Sequence, residues 1–172
     1  MYNLNSIETE LHKKLTILAL ERSKSFCYQC YRECPSGVCI ICHTDDLMRV
    51  LDGVGCEYGT DWIIESILEQ ELDPVTDDDL QEQHGEMIES CYGEMIKIGW
   101  FEVSTVEAIK CLDPVSYELS MSEYLDNQRE DEILCSFDNG GTHYWTHDVE
   151  ALVEHIELEE IEQKVTEAIK IS

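Results

Sequence analysis

The chain has 172 residues, an apolar share of 43 % and only three prolines and nine glycines, a composition that excludes the disordered and fibrous classes and suits one folded domain, or a domain plus a small metal-held appendage, and the elements predicted below make it α+β and mostly helical. A net charge of −27 argues against an ordinary nucleic-acid binder, which gains affinity by replacing counterions with Lys and Arg. No apolar run approaches the roughly 18 residues of a membrane span, and the opening "MYNLNSIETELHKK" lacks the basic-then-apolar pattern of a secretory signal. A cytoplasmic location is therefore expected, where thiols stay reduced and nine cysteines, an odd number, point to metal ligands and buried thiols rather than to a disulfide framework.

In chain order, Ile7, Leu11, Leu15 and Leu18 recur at helical spacing after Asn5 or Ser6 and predict a helix over about residues 6–23. A cysteine-rich stretch follows, and then "DDLMRVL", which Thr44 is expected to cap as a short helix stopped by Asp52-Gly53. Thr60 is the expected cap of "DWIIESILEQEL", whose Ile63, Ile64, Ile67, Leu68 and Leu72 form a broad apolar stripe. Thr76 is the expected cap of a long helix closed by Gly99, with Leu80, Met87, Cys91, Met95 and Ile98 on one side. "WFEV" then reads as a strand. Ser104 and Glu107 have capping-box spacing for a short helix, and Asp113-Pro114 opens another with Tyr117, Met121 and Tyr124 inward. Aromatic and β-branched runs around Asp138-Asn139-Gly140-Gly141 predict a β-hairpin over 133–146, after which Thr146 is expected to cap a last helix, "HDVEALVEHI".

The chemistry is concentrated in "SFCYQCYRECPSGVCIICHTDD". Cys27 and Cys30 form one CxxC pair and Cys39 and Cys42 another, with eight residues between them that include Pro35, Ser36 and Gly37. A CxxC turn lets two thiolates of one tight loop face the same ion, and two such loops complete a tetrahedral site. Residues 27–42 resemble a zinc ribbon or paired zinc knuckle, which implies a structural zinc ion on Cys27, Cys30, Cys39 and Cys42, with Cys34 and His43 as spare ligands. An iron–sulfur cluster would accept the same four thiolates. A thioredoxin-like redox pair needs a strand-to-helix setting that "SFCYQCYREC" does not supply, and a catalytic zinc needs an open position that four thiolates close.

Residues 1–50 carry six Lys/Arg and six Asp/Glu, whereas residues 51–172 carry five and 32. The division expected is a helix plus zinc-ribbon segment over 1–52 and an acidic helical domain over 53–172. From residue 77 onward the order of helix, strand, two helices, hairpin and helix resembles the winged-helix arrangement, with "WFEV" joining the hairpin as a small sheet. The helix that reads DNA in that arrangement is acidic here: Asp113, Glu118, Glu123, Asp126, Glu130 and Asp131 face a single Arg129. A helix of that sign suits a basic protein surface and not a groove lined by phosphates.

His143 and His147 fall on a strand and just past a cap, which breaks the spacing of a helical two-histidine metal site, and Cys56, Cys91, Cys111 and Cys135 read as buried structural thiols. No P-loop, GxGxxG or GxSxG motif is present, so no enzyme activity is expected. The expected function is a protein-interaction module or inhibitor that presents carboxylates to a basic site, in its sharpest form as a nucleic-acid mimic, through Asp77, Asp78, Asp79, Glu118, Glu123, Asp126, Glu130 and Asp131. The alternative is a transcription-type adaptor whose first 50 residues touch nucleic acid or polymerase near Lys13, Lys14, Arg22, Lys24 and Arg32.

Overall fold

A computed structural model describes residues 10–137 and 141–171. Among them lie six helices and eight short strands, the strands forming three separate antiparallel sheets. The chain divides into two compact units, one made of the residues up to Asp73 with Ser136–Thr142 and His147–Ser172, the other of Pro74–Cys135 with His143–Thr146. No described helix is long and apolar enough to cross a membrane.

The first unit begins with α1 (Glu10–Arg22), which buries Leu15, Leu18 and Ala19 as its periodicity requires. The proposed caps Asn5 and Ser6, and Ile7, lie outside the described residues. Next come β1 (Lys24–Cys27), β2 (Arg32–Glu33), β3 (Met48–Leu51) and β4 (Gly55–Glu57), in spatial order β2-β1-β3-β4. The expected helix at "DDLMRVL" is therefore a strand. Thr44 is a local cap of another kind, accepting the Asp46 amide at 3.1 Å, while Met48 pairs with Phe26 and Val50 lies between Lys24 and Cys56. An apolar run of this length is too short to hold a helix by itself, and sheet neighbours on both sides decide it. Asp52-Gly53 ends the run as expected, but as a hairpin turn with Gly53 at φ 81°.

Arg49 on β3 ties this sheet to α1. Its Nη2 donates to the carbonyls of Leu20 at 2.7 Å and Ser23 at 2.8 Å, Nε donates to Ser23 Oγ at 3.0 Å and Nη1 to Ser25 Oγ at 2.8 Å. A guanidinium thus satisfies carbonyls that a helix leaves orphaned at its C-terminus, where a cation is also favoured by the dipole. The helices α2 (Asp61–Glu71) and α6 (Thr146–Ile171) complete the unit, burying Ile63, Ile64, Ile67 and Leu68 from the former and Val149, Val153 and Ile156 from the latter. Thr60 does precede α2, yet its hydroxyl makes no capping hydrogen bond. Thr146 is the first residue of α6 and not its cap.

The second unit opens with α3 (Asp77–Tyr92), whose capping box is complete: Thr76 Oγ1 accepts the Asp79 amide at 3.2 Å and Asp79 Oδ2 accepts the Thr76 amide at 2.9 Å. The helix stops well short of Gly99. Gly93, at φ 87°, ends it, and β5 (Met95–Ile98) turns back through Gly99-Trp100 to pair with β6 (Phe101–Ser104). Gly99 has φ 66° in this two-residue turn, the position where a hairpin of this kind calls for glycine. Then follow α4 (Thr105–Leu112), capped by Ser104, and α5 (Pro114–Glu130), capped by Asp113, as their sequence signals require. Leu134–Cys135 (β7) and Tyr144–Trp145 (β8) pair as the expected hairpin, whose turn residues 138–140 lie outside the described residues.

The expected three-stranded winged-helix sheet does not form among the described residues, because "FEVS" pairs with β5 while β7 and β8 pair with each other. Closing a two-residue loop costs far less chain entropy than recruiting a strand some 30 residues away.

His84 occupies the middle of this unit, fully buried, with Nε2 at 2.9 Å from Ser120 Oγ and its ring tilted against Tyr117 and Tyr124 at 5.1 and 5.4 Å. Burial, and then the nearby Lys110 ammonium, lower its pKa from the ordinary 6.5. Between that value and the lower folded one the unfolded chain binds more protons, so stability rises with pH across this window, is complete above it and is lost as pH falls through it. Amide exchange in α3 and α5, corrected for intrinsic rate, is expected to accelerate as pH drops from about 7 to about 5, through the ordinary histidine pKa, and His84→Gln is expected to flatten that dependence.

Candidate metal centre

Two loops of the same backbone design bring the four predicted cysteines together. Cys27 ends β1, and the chain turns through Cys30 so that the Tyr31 amide donates to the Cys27 carbonyl at 2.8 Å, with Tyr31 at φ 57°. At the second pair the His43 amide donates to the Cys39 carbonyl at 2.8 Å, with His43 at φ 54°. Each knuckle therefore forces a residue with a Cβ into the left-handed region, a conformation uncommon outside glycine and asparagine. Two further backbone bonds fix the loops: Cys39 N–H to the Thr44 carbonyl at 2.8 Å and Cys34 N–H to the Ser25 carbonyl at 2.7 Å.

The Sγ atoms of Cys27, Cys30, Cys39 and Cys42 all lie within 4.8 Å of one another, and those of Cys30 and Cys39 are 3.4 Å apart. Four thiolates about 2.3 Å from a zinc-sized ion would sit at the corners of a tetrahedron with edges of about 3.8 Å. The observed set brackets that edge, so the cluster can hold a metal ion. Cys27 and Cys39 are buried and Cys30 and Cys42 half-buried, with Leu47 packed against them. Cys34 is also buried beside the cluster, but its thiol contacts the Arg32 carbonyl at 3.5 Å and it is not one of the four; His43 is exposed and contributes only its backbone.

Without a cation these sulfurs compete for protons. The Cys42 amide, donating to Cys39 Sγ at 3.4 Å, is the main reason that the Cys39 thiol is lowered to about 6. Its hydrogen-bonded neighbour Cys30 is correspondingly pushed up to about 12, chiefly by Cys39 and then by burial, and burial raises Cys42. Like charges this close cannot all ionise unaided, so binding an ion must release protons.

The remaining expected sites are placed less uniformly. Cys56, Cys91 and Cys111 are exposed and Cys135 half-buried, contrary to the expectation of buried thiols. Cys56 stands on the edge strand β4, and Cys91 and Cys111 on the last turns of α3 and α4. His143 is buried, its Nε2 accepting from Arg129 Nε at 3.1 Å, while His147 is exposed beside Asp148. Asp77, Asp78 and Asp79 form the exposed first turn of α3, although Asp79 is committed to its capping box. Glu118, Glu123, Asp126 and Glu130 are exposed on α5 and Asp131 ends it. Asp126 is 3.6 Å from Arg129.

These acids do not form one face. Glu123 lies about 140° around α5 from Glu118. Asp77 and Glu118 do come together, at the rim of a groove between α3 and α5 that Leu80, Tyr117, Met121 and Leu125 line. Sequence reasoning assigned Tyr117 and Met121 to an inner face; Tyr117 is buried as expected, while Met121 and Leu125 stay half-exposed in the groove. No protein-family model, curated protein sequence or solved structure matches the chain.

The purified chain is expected to bind about one equivalent of divalent metal, with proton release that a pH-stat records. Cys39→Ser and Cys27→Ser should abolish tight binding, whereas Cys34→Ser and His43→Ala should retain it. Retention by the first pair or loss by the second would show that the ligand set is different.

Proposed function

We propose that the protein is a non-enzymatic, zinc-containing interaction module whose acidic surface binds a basic protein site. The observation that carries this reading is the combination of a closed four-sulfur cluster with carboxylates that stand exposed on helix surfaces. Four thiolates fill a tetrahedral shell and leave no position for the water that a catalytic zinc requires, which favours a structural ion. The doubled knuckle attached to a small antiparallel sheet supports the zinc-ribbon reading of residues 27–42.

The charge distribution supports the choice of partner. Carboxylates of this density attract Lys- and Arg-rich surfaces over about one Debye length, ~8 Å at physiological salt, and repel phosphate. Nucleic-acid mimicry is the sharpest form of the proposal: carboxylates stand where DNA or RNA would present phosphates to an enzyme or regulator. The adaptor reading has less support, since Lys13 pairs with Glu10 at 3.8 Å, Lys14 with Glu157 at 3.2 Å, and Lys24 with Asp52 at 2.9 Å. These pairs reduce the cationic surface that residues 1–50 could offer.

Affinity capture on the immobilised full chain, followed by a salt gradient, tests the reading. Nucleic-acid-handling proteins are expected to elute with rising salt and to be displaced by their own DNA or RNA. Salt-insensitive capture of acidic proteins, or direct adhesion of the chain to duplex DNA, would refute it. Chelation is expected to unfold residues 24–57 preferentially, seen as loss of amide protection there.

A further inference from the structure

We propose that the groove between α3 and α5 is the docking site for a basic amphipathic helix of a partner protein, an inference that rests on the interaction-module reading and gives it a location. The groove has a volume of about 630 Å³. On α5 it is lined by Pro114, Tyr117, Glu118, Met121, Ser122 and Leu125, which recur at intervals of three, one, three, one and three along one helical face. Over these positions the stripe runs about 16 Å, or three turns. That is the pattern by which one helix receives another. Asp77, Leu80 and Gln81 of α3 form the opposite wall.

Two observations identify the occupant. Asp77 and Glu118 stand on the rim, and the unit that contains the groove carries 16 Asp/Glu against three Lys/Arg over Pro74–Cys135 and His143–Thr146. A second copy of this chain would be repelled, and a helix flanked by Lys and Arg would be drawn in. Independently, the Lys110 ammonium, 4.9 Å from the Tyr117 ring centroid, is the one cation of the lining, and it asks the occupant for acceptors, which the last carbonyls of a helix, having no partner within it, supply.

The test uses the intact, metal-loaded chain and a labelled synthetic peptide of about 14 residues, with Leu at one helical face and Lys and Ala elsewhere. Its control is a scrambled peptide of identical composition. The patterned peptide is expected to bind about tenfold more tightly than the scrambled one. Ser122→Arg, at an exposed position in the groove, should remove about that tenfold preference while circular dichroism and metal content stay unchanged. Glu150→Gln, an equal charge change on α6, should leave the preference intact.

Equal binding of the two peptides, or equal losses for Ser122→Arg and Glu150→Gln, would overturn the groove while leaving a diffuse acidic surface as the interaction site. Failure of either peptide to bind at low salt would count against both the groove and the broader reading. Self-association in sedimentation that Ser122→Arg abolishes would assign the groove to a second copy and overturn the proposal.

Discussion

The proximity of four sulfurs organises the cysteine segment. The strands β1 to β4 have two to four residues each, and paired strands this short are not stable in water by themselves. Their neighbours supply little core, since all of β2 and β4 is exposed. What joins them is the pair of knuckles, each closed by one backbone hydrogen bond and each bearing a non-glycine residue at positive φ. A structural zinc ion contributes about 10 to 16 kcal/mol, comparable with the 5 to 15 kcal/mol that stabilises a whole domain. Such a term is large enough to offset both the strained residues and the mutual repulsion of the thiolates.

Arg49 extends that local order to α1. Its donors bind two main-chain carbonyls and two serine hydroxyls and, among the described residues, no carboxylate, so the guanidinium is held by dipoles. Burial lowers its pKa, though a guanidinium stays charged in proteins. The arrangement is economical in a chain with so few cations, because one side chain closes a helix end and joins it to a sheet.

Negative charge shapes the second unit differently. Self-repulsion opposes a compact acidic fold, and part of it is offset where carboxylates meet helix N-termini. Asp77, Asp78 and Asp79 occupy the first turn of α3, and Asp113 caps α5 through the Ser116 amide at 3.1 Å. Hydrogen bonds from Thr76 to Asp79, and from Ser116 to Asp113, hold both carboxyls below the usual range. The acids that remain, spread around α5, stand exposed and cap no helix N-terminus.

The cysteine spacing, the Thr76 and Asp113 caps, the apolar stripes of α1, α2 and α6, and the hairpin flanking residues 138–140 were legible in the sequence because each depends on neighbours within a few turns. "DDLMRVL" was misread as helix and "EMIKI" as the end of one, since a short apolar run has no periodicity of its own and takes the form its sheet partners impose. The left-handed residues after each CxxC were hidden because Tyr31 and His43 do not advertise positive φ as glycine would. The sequence alone determined which four sulfurs could meet and that the excess charge lies beyond residue 50, for composition and spacing are local properties. Only the tertiary structure decided which strands pair, which cysteines stand exposed, and that Asp77 and Glu118 share one apolar groove, for those depend on side chains brought together from distant parts of the chain.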